Sequence, residues 1–75
     1  MQKLVQIPLN QTVYIQEIQC KEHVKRRLLD LGLIQGTKIK PVFKSPLGDP
    51  IAYEIRGTLI SIRNEEANRI IVKTR

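Results

Sequence analysis

The chemistry that this sequence could support centres on its single cysteine and its single histidine, Cys20 and His23. Cysteine sulfur and histidine nitrogen are ligands for zinc and other soft or borderline metal ions. A spacing of three residues places both side chains on one side of a helix. Two ligands are half of a structural metal site, so a carboxylate such as Glu17 or Glu22 would have to help. Since the sequence contains no second Cys/His pair, we predict no metal site and keep this pair as the only candidate ligands.

A structural interpretation of Cys20 is the simpler one. Cys20 is in helical phase with Val24 and Leu28, a pattern typical of a thiol buried against a core. A catalytic Cys–His pair is disfavoured, because side chains at i and i+3 of a helix point outward in parallel and no third group orients the histidine. The sequence has no phosphate-binding glycine pattern. We therefore predict that the protein is not an enzyme and carries no cofactor.

Length and composition predict one small domain over residues 1–75. The apolar fraction is 41%, but the aromatic residues are only two tyrosines and one phenylalanine. The core must therefore be mostly isoleucine, leucine and valine, which favours a small β-rich fold. A single cysteine fits a reducing compartment, and no apolar run approaches the roughly 20 residues needed to cross a bilayer. These features predict a cytoplasmic protein without direct membrane insertion.

The formal net charge of +6, from 13 basic and 7 acidic residues, favours acidic partners. A small basic β-domain also invites a nucleic-acid-binding interpretation. The basic residues are spread along the chain, however, and three aromatic residues do not make a platform on which bases could stack. Nucleic-acid binding is therefore the less favoured alternative, and no nucleic acid is expected as a partner.

One helix is predicted to end at Gly32. Val24, Leu28 and Leu31 recur at i, i+4 and i+7 and are expected to face the core. Gly32 follows the last of these leucines, where helices commonly end with a residue in the left-handed conformation. Leu33, the next residue, is expected to pack into the core and so hold the end of the helix in place.

A turn and a strand are predicted immediately after the helix. Ile34 is expected to pack beside Leu33, and Gln35-Gly36 fits the centre of a type II turn, whose third position favours glycine. Residues 37–40 alternate inward and outward as a strand. Pro41 interrupts the hydrogen-bond ladder, which predicts either an edge strand or a bulge. As an edge, residues 37–40 could pair with a second copy in a weak homodimer.

Segments rich in β-branched residues and separated by turns predict the rest of the sheet. The remaining strands are expected at residues 12–18, 51–56, 58–63 and 70–72. A bulge is expected near Gln16-Glu17, and residues 64–67 are predicted to form one helical turn with Asn64 as its N-cap. This order predicts a mainly β fold, a small barrel of five to six short strands with one inserted α-helix.

The segment between the third and fourth predicted strands is a stiff loop. Residues 45–50, Ser-Pro-Leu-Gly-Asp-Pro, contain two prolines that restrict the backbone. Leu47 lies between these prolines. On a stiff loop an exposed leucine would lose little entropy on binding a partner. The alternative is a rigid connector with Leu47 folded onto the barrel, and the sequence leaves both open.

Three segments together resemble FeoA-domain proteins. Residues 27–37, RLLDLGLIQGT, resemble the family pattern R-L-x-x-L-G-h-x-x-G-x, where h is hydrophobic. Residues 46–51, PLGDPI, resemble P-x-G-D-P-I. Residues 62–72, with Arg63, Glu66, Ala67 and a closing I-I-V, resemble L-R-x-x-E-A…I-x-V. The order and spacing hold over essentially the whole chain, with Gln35 replacing a proline that many members carry.

The resemblance implies an SH3-like β-barrel and a role in the Feo ferrous iron uptake system of bacteria. There FeoA is a small cytosolic partner of FeoB, a membrane transporter with a cytoplasmic G-protein domain. The chain is accordingly expected to be an adaptor or regulator that binds FeoB and is recruited through it to the inner face of the membrane. A transition-metal-binding or metal-sensing module is the alternative. The predicted partner-binding residues are Leu31, Gly32, Leu33, Lys38, Lys40, Lys44, Pro46, Leu47, Gly48, Asp49 and Pro50.

Overall fold

The structure, a computed structural model, describes residues 2–75 and contains one antiparallel sheet and two α-helices. The elements are β1 (Gln2–Lys3), a 3-10 helix (Leu4–Gln6), β2 (Val13–Ile18), α1 (Glu22–Asp30), β3 (Lys38–Lys44), β4 (Ile51–Ile55), β5 (Thr58–Ile62), α2 (Asn64–Ala67) and β6 (Ile70–Lys73). The strand order is β1-β6-β2-β3-β4-β5. The predicted mainly β fold with an inserted helix and a late helical turn is confirmed. Strands β1 and β5 are not paired with each other, so the hydrogen-bonded sheet remains open.

The predicted helix stop at Gly32 is confirmed, and two backbone hydrogen bonds define it. Gly32 has φ = +101°, and its N–H donates to the Leu29 carbonyl at 2.9 Å. The Leu33 N–H donates to the Leu28 carbonyl at 3.0 Å. This pair of bonds is the Schellman motif, in which an apolar contact commonly accompanies the reversal of the chain. Leu28 and Leu33 are both fully buried, so the stop is fixed by the core.

The prediction that Leu31 and Ile34 pack into the core is wrong. Leu31 is 48% exposed and Ile34 is 45% exposed. The helix ends at Asp30, and Leu31 occupies the C-cap position. Because the chain reverses at Gly32, Leu33 rather than Leu31 takes the core position beside Leu28. The helical periodicity therefore holds only as far as the helix itself.

The turn at Gln35-Gly36 is confirmed and connects α1 to the sheet. Gly36 has φ = +89°, and the Thr37 N–H donates to the Ile34 carbonyl at 3.0 Å, as expected for a type II turn. The Gly36 N–H donates to the Ile15 carbonyl of β2 at 2.8 Å. This bond fixes the entry of the chain into β3.

Strand β3 contains a bulge and is not an edge strand. Its register with β4 shifts between Pro41 and Phe43, which accommodates the missing N–H of the proline. The bulge predicted in β2 is also present, between Ile15 and Glu17. Because β3 lies between β2 and β4, the expectation of a free edge at residues 37–40 is wrong. Pairing with a second copy through that segment therefore has no structural basis.

Tyr53, in the middle of β4, is the largest side chain of the core and is fully buried. Burial, with a smaller contribution from the nearby Asp49 carboxylate, raises the pKa of its hydroxyl to about 12. The unfolded chain therefore loses this proton at lower pH than the folded protein. The corresponding stability is fully present below about pH 10 and is lost as the pH rises toward about 12.

Alkaline unfolding tests this assignment. Between about pH 10 and 12, the free energy of unfolding should fall by about 1.4 kcal/mol per pH unit from Tyr53 alone. The Tyr53→Phe variant should lack this contribution, so the stability difference between the two proteins should change across that window. Urea titrations of both at matched pH measure it. Parallel pH profiles for the two proteins would contradict a raised pKa.

Among residues 2–75, no helix is long and apolar enough to cross a membrane.

Candidate functional site

The loop of residues 45–50, called here the Leu47 loop, is closed by its own hydrogen bonds. The Ser45 N–H donates to the Pro50 carbonyl at 3.2 Å, and the Ser45 hydroxyl donates to the same oxygen. The Gly48 N–H donates to the Ser45 carbonyl at 2.7 Å. Pro46 restricts the backbone between these contacts. The loop therefore keeps one shape without help from a partner.

A second set of contacts ties the Leu47 loop to α2. The Asn64 N–H donates to Asp49 Oδ1 at 3.0 Å, and Asn64 Nδ2 donates to the Gly48 carbonyl at 2.8 Å. Asp49 thus supplies from the loop an acceptor for the first N–H of α2. The prediction of Asn64 as the N-cap is wrong, because Arg63 occupies that position and makes no side-chain capping bond.

Asp49 is accordingly expected to contribute to stability. Asp49→Ala leaves the Asn64 N–H without its acceptor and should lower the free energy of unfolding by about 1 kcal/mol. Asp49→Asn keeps an acceptor oxygen at the same position and should cost less than half of that. Thermal or urea unfolding of the two variants measures the difference. An alanine variant as stable as the wild type would show that the carboxylate is not a cap.

Leu47 points into solvent from this fixed loop. Its side chain is 95% exposed, so the alternative in which it folds onto the barrel is wrong. An apolar side chain held in water on a hydrogen-bonded loop is already placed for contact with a partner. Leu47 is therefore the candidate binding residue of this loop.

A second exposed apolar group lies at the end of α1. Leu29, Leu31 and Ile34 are each between 41% and 48% exposed, and we call these three residues the helix-end patch. Of the predicted site residues in this region, Gly32 is half-buried and Leu33 is fully buried. Leu33 is therefore a core residue, and Leu31 alone of these predicted residues presents an apolar side chain to solvent.

The predicted basic residues divide between two ends of the sheet. Lys38 begins β3 and Lys44 ends it. At about 3.4 Å per residue, these positions are about 20 Å apart. Lys40 Nζ lies 3.5 Å from Glu54 Oε1, an ion pair across β3 and β4. The structure therefore does not gather the predicted residues into one patch, since Lys38 lies toward the helix end and Lys44 adjoins the Leu47 loop.

Cys20 and His23 lie beside α2. Cys20 precedes the helix, and its Sγ donates to the Glu66 carbonyl at 3.6 Å. Burial raises the pKa of this thiol, and the Glu66 charge raises it further, while Arg69 and Arg27 lower it. A cysteine binds metal as the thiolate, so this environment opposes metal binding. No group of three or more His, Cys, Asp or Glu side chains in the part of the chain that the structure describes is arranged to hold a metal ion.

Sequence reasoning did not identify three further exposed features. Arg27 Nη2 donates to Glu66 Oε1 at 2.6 Å, and this ion pair joins α1 to α2. The two residues are 39 positions apart, so no local sequence pattern predicts the pair. Phe43 and Leu59 are 62% and 63% exposed on the outer face of the sheet. The exposure of Leu59 could have been predicted from the sequence, because Ile60 and Ile62 face inward and strand alternation places Leu59 on the opposite face.

The sequence profile of the FeoA domain matches residues 2–74. The chain belongs to the FeoA domain family. A named relative is the Fe(2+) transport protein A/Fe(2+) transporter FeoB fusion protein of Porphyromonas gingivalis, 37% identical over 49 residues. That match covers 65% of this chain but only 6% of the fusion protein. The FeoA family is thus a family of ferrous iron transport.

Two solved FeoA structures share the fold. The FeoA protein of Chlorobium tepidum is 36% identical, with a TM-score of 0.92, over 96% of this chain and 69% of that one. The FeoA of Stenotrophomonas maltophilia, described as an SH3 domain protein and solved with zinc, is 27% identical, with a TM-score of 0.84, over 97% of this chain and 91% of that one. The predicted FeoA resemblance and SH3-like fold are both confirmed.

Proposed function

We propose that this FeoA-domain protein is an accessory protein of ferrous iron uptake that binds FeoB through the Leu47 loop. The observation that carries the proposal is the side chain of Leu47, which is 95% exposed on a loop fixed by hydrogen bonds at Ser45 and Asn64. Because the loop is already ordered, a partner that buries Leu47 loses little entropy on binding.

The fusion relative supports FeoB as the partner. The Porphyromonas gingivalis protein is a fusion, in which a region similar to this chain and the FeoB transporter form one polypeptide. Linking two proteins in one chain raises their effective concentration for one another. A protein that acts on FeoB as a separate chain would instead need a binding interface that holds it close to FeoB. The Stenotrophomonas maltophilia FeoA is suggested to act as an activating factor for ferrous iron transport, which fits an accessory role.

The charge of the chain supports an acidic contact surface on the partner. The net charge is +6, and Lys44, the last residue of β3, adjoins the Leu47 loop. Rim charges of this kind act mainly on the rate of association and on its salt dependence. In this proposal the protein is cytoplasmic and reaches the inner face of the membrane through FeoB.

An amide NMR titration with the cytoplasmic G-domain of the cognate FeoB tests the proposal. Shifts centred on residues 44–51 would support contact through the Leu47 loop. Shifts confined to the helix-end patch would support FeoB binding but overturn this surface. If neither region shifts, the titration is repeated with full-length FeoB in lipid nanodiscs, and the absence of shifts there as well would overturn FeoB as the partner.

Salt dependence separates this function from the nucleic-acid alternative. A protein that binds through phosphate contacts loses affinity steeply with salt and binds many sequences alike. We expect no such binding to single- or double-stranded oligonucleotides at physiological salt, and fluorescence anisotropy measures it. Tight, salt-sensitive binding would favour the alternative function.

A further inference from the structure

Strand β5 forms an open edge of the sheet. It is the last strand in the sheet order and, within residues 2–75, pairs with β4 alone. Its sequence, Thr-Leu-Ile-Ser-Ile, contains no charge and no proline. Edge strands of natural proteins are usually protected by charges, prolines or covering segments, since an open edge can pair with another chain. Thr58–Ile62 has neither charges nor prolines to protect it.

The register identifies which backbone groups face the open side. The β4–β5 turn has two residues, Arg56 and Gly57, with φ = +52° and +79°, and Ile55 pairs with Thr58 across it. In a two-residue hairpin the pair that flanks the turn is hydrogen-bonded, and hydrogen-bonded pairs then alternate along the strands. Leu59 and Ser61 therefore direct their N–H and C=O groups away from β4. These groups are the donors and acceptors available to an added strand.

The outer face of β5 presents one apolar side chain, Leu59, and the turn before it carries Arg56. Leu59 is 63% exposed and lies opposite Glu54 of β4. At the turn, Lys38 and Arg56 line one shallow depression. Glu54, which lines it too, already pairs with Lys40. The charges left over at this end are therefore positive.

We propose that the β5 edge binds an extended, acidic segment of another protein as an added antiparallel strand. Leu59 and Ser61 supply the main-chain hydrogen bonds, as in other cases of β-strand addition. The Leu59 side chain contacts an apolar residue of the segment. Antiparallel pairing brings the carboxyl end of the segment to the β4–β5 turn, where Arg56 attracts its acidic residues. The proposed contacts do not include Leu47, and the proposal does not depend on FeoB.

A second copy of this chain fits the edge less well. A two-fold antiparallel pairing centred on Ile60 would place Arg63 of one copy opposite Gly57 of the other, next to Arg56. This would bring like charges together at both ends of the added pair, which is unfavourable. The net charge of +6 on each copy adds to the repulsion. An acidic segment is attracted by the same charges.

The test uses the full chain and two synthetic peptides. Both peptides alternate valine and threonine over six residues; one ends in three aspartates and the control ends in three lysines. With the aspartate peptide we expect amide shifts along Thr58–Ile62 and at least about tenfold slower hydrogen exchange at Leu59 and Ser61. The lysine peptide should produce neither effect. Absence of these changes, or equal changes with both peptides, would overturn the proposal.

Two variants separate edge binding from nonspecific effects. Leu59→Pro removes an N–H that faces the open side and does not pair with β4, so the fold should remain while peptide binding is lost. Arg56→Asn suits the positive φ of the turn and should weaken binding of the aspartate peptide severalfold, whereas Arg75→Asn in the tail should not. Full binding by folded Leu59→Pro would overturn the strand geometry. Shifts in Thr58–Ile62 on concentrating the protein without peptide would instead show self-pairing and overturn the acidic segment as the occupant.

Discussion

Replacing Leu28 with alanine is expected to lower the free energy of unfolding by about 2–5 kcal/mol. Leu28 is fully buried and lies beside Leu33 in the Schellman motif, so truncation leaves a cavity at the junction of α1 and the sheet. A domain of this size has a total stability of only about 4–11 kcal/mol. The variant should therefore show a fall in melting temperature of at least about 8 °C, measurable by circular dichroism.

Leu29 provides a matched control for this experiment. It is the next residue of α1, has the same side chain, and is 41% exposed. Leu29→Ala removes less buried surface and should cost less than about 1 kcal/mol. Equal destabilisation of the two variants would contradict an orientation of α1 that turns Leu28 rather than Leu29 to the core.

Replacing Leu47 with aspartate is expected to lower the affinity for FeoB at least about tenfold, which corresponds to about 1.4 kcal/mol. The substitution removes the apolar contact and places a charge where the partner is expected to be apolar. Because the Leu47 side chain is 95% exposed, the free energy of unfolding should change by less than about 0.5 kcal/mol. Isothermal titration calorimetry and urea unfolding of the same preparation measure both quantities.

Leu47→Met is the control, because methionine keeps an apolar side chain of similar volume. It should retain most of the affinity that the aspartate variant loses. Unchanged affinity in Leu47→Asp would contradict a role for this loop in FeoB binding. Asp49→Ala is a poorer probe, since loss of its bond to Asn64 would alter the loop shape and binding together.

The predicted binding residues lie in two separate regions, which can be tested by separate variants. The Leu47 loop and the beginning of β3, where Lys38 lies, are at opposite ends of that strand. A small interface can therefore cover one of these regions without the other. The Leu47→Asp variant tests the first, and a matched Leu31→Asp variant at the helix-end patch tests the second. The predicted site residues are thus two candidate surfaces rather than one.

Local sequence features predicted much of the fold correctly. Gly32 and Gly36 have positive φ, as the turn chemistry required. The β2 bulge and the β3 bulge at Pro41 also lie where the alternation and the proline predicted them. The glycine turns and the Pro41 bulge could be predicted because backbone conformation at glycine and proline depends mainly on the residue itself. The prediction of a single domain over residues 1–75 stays a prediction.

Other predictions failed where long-range contacts decided the outcome. The apolar residue Leu31 is exposed because the chain reverses one residue later and Leu33 takes the core position. The acceptor for the first N–H of α2, that of Asn64, comes from Asp49, 15 residues away, and no local sequence pattern predicts this contact. The direction of Leu47 was open for the same reason, since it depends on how the loop is attached to α2.

The sequence by itself determined the helix stop, the turns, the strand periodicity and the family to which the chain belongs. Each of these depends on residue types at short, fixed spacing, where local sterics and periodicity act. The tertiary structure alone decided which apolar residues remain in water, which strand is left at the open edge, and which residues cap α2. Those outcomes follow from competition among distant segments for one small core and for the hydrogen-bonding groups around it.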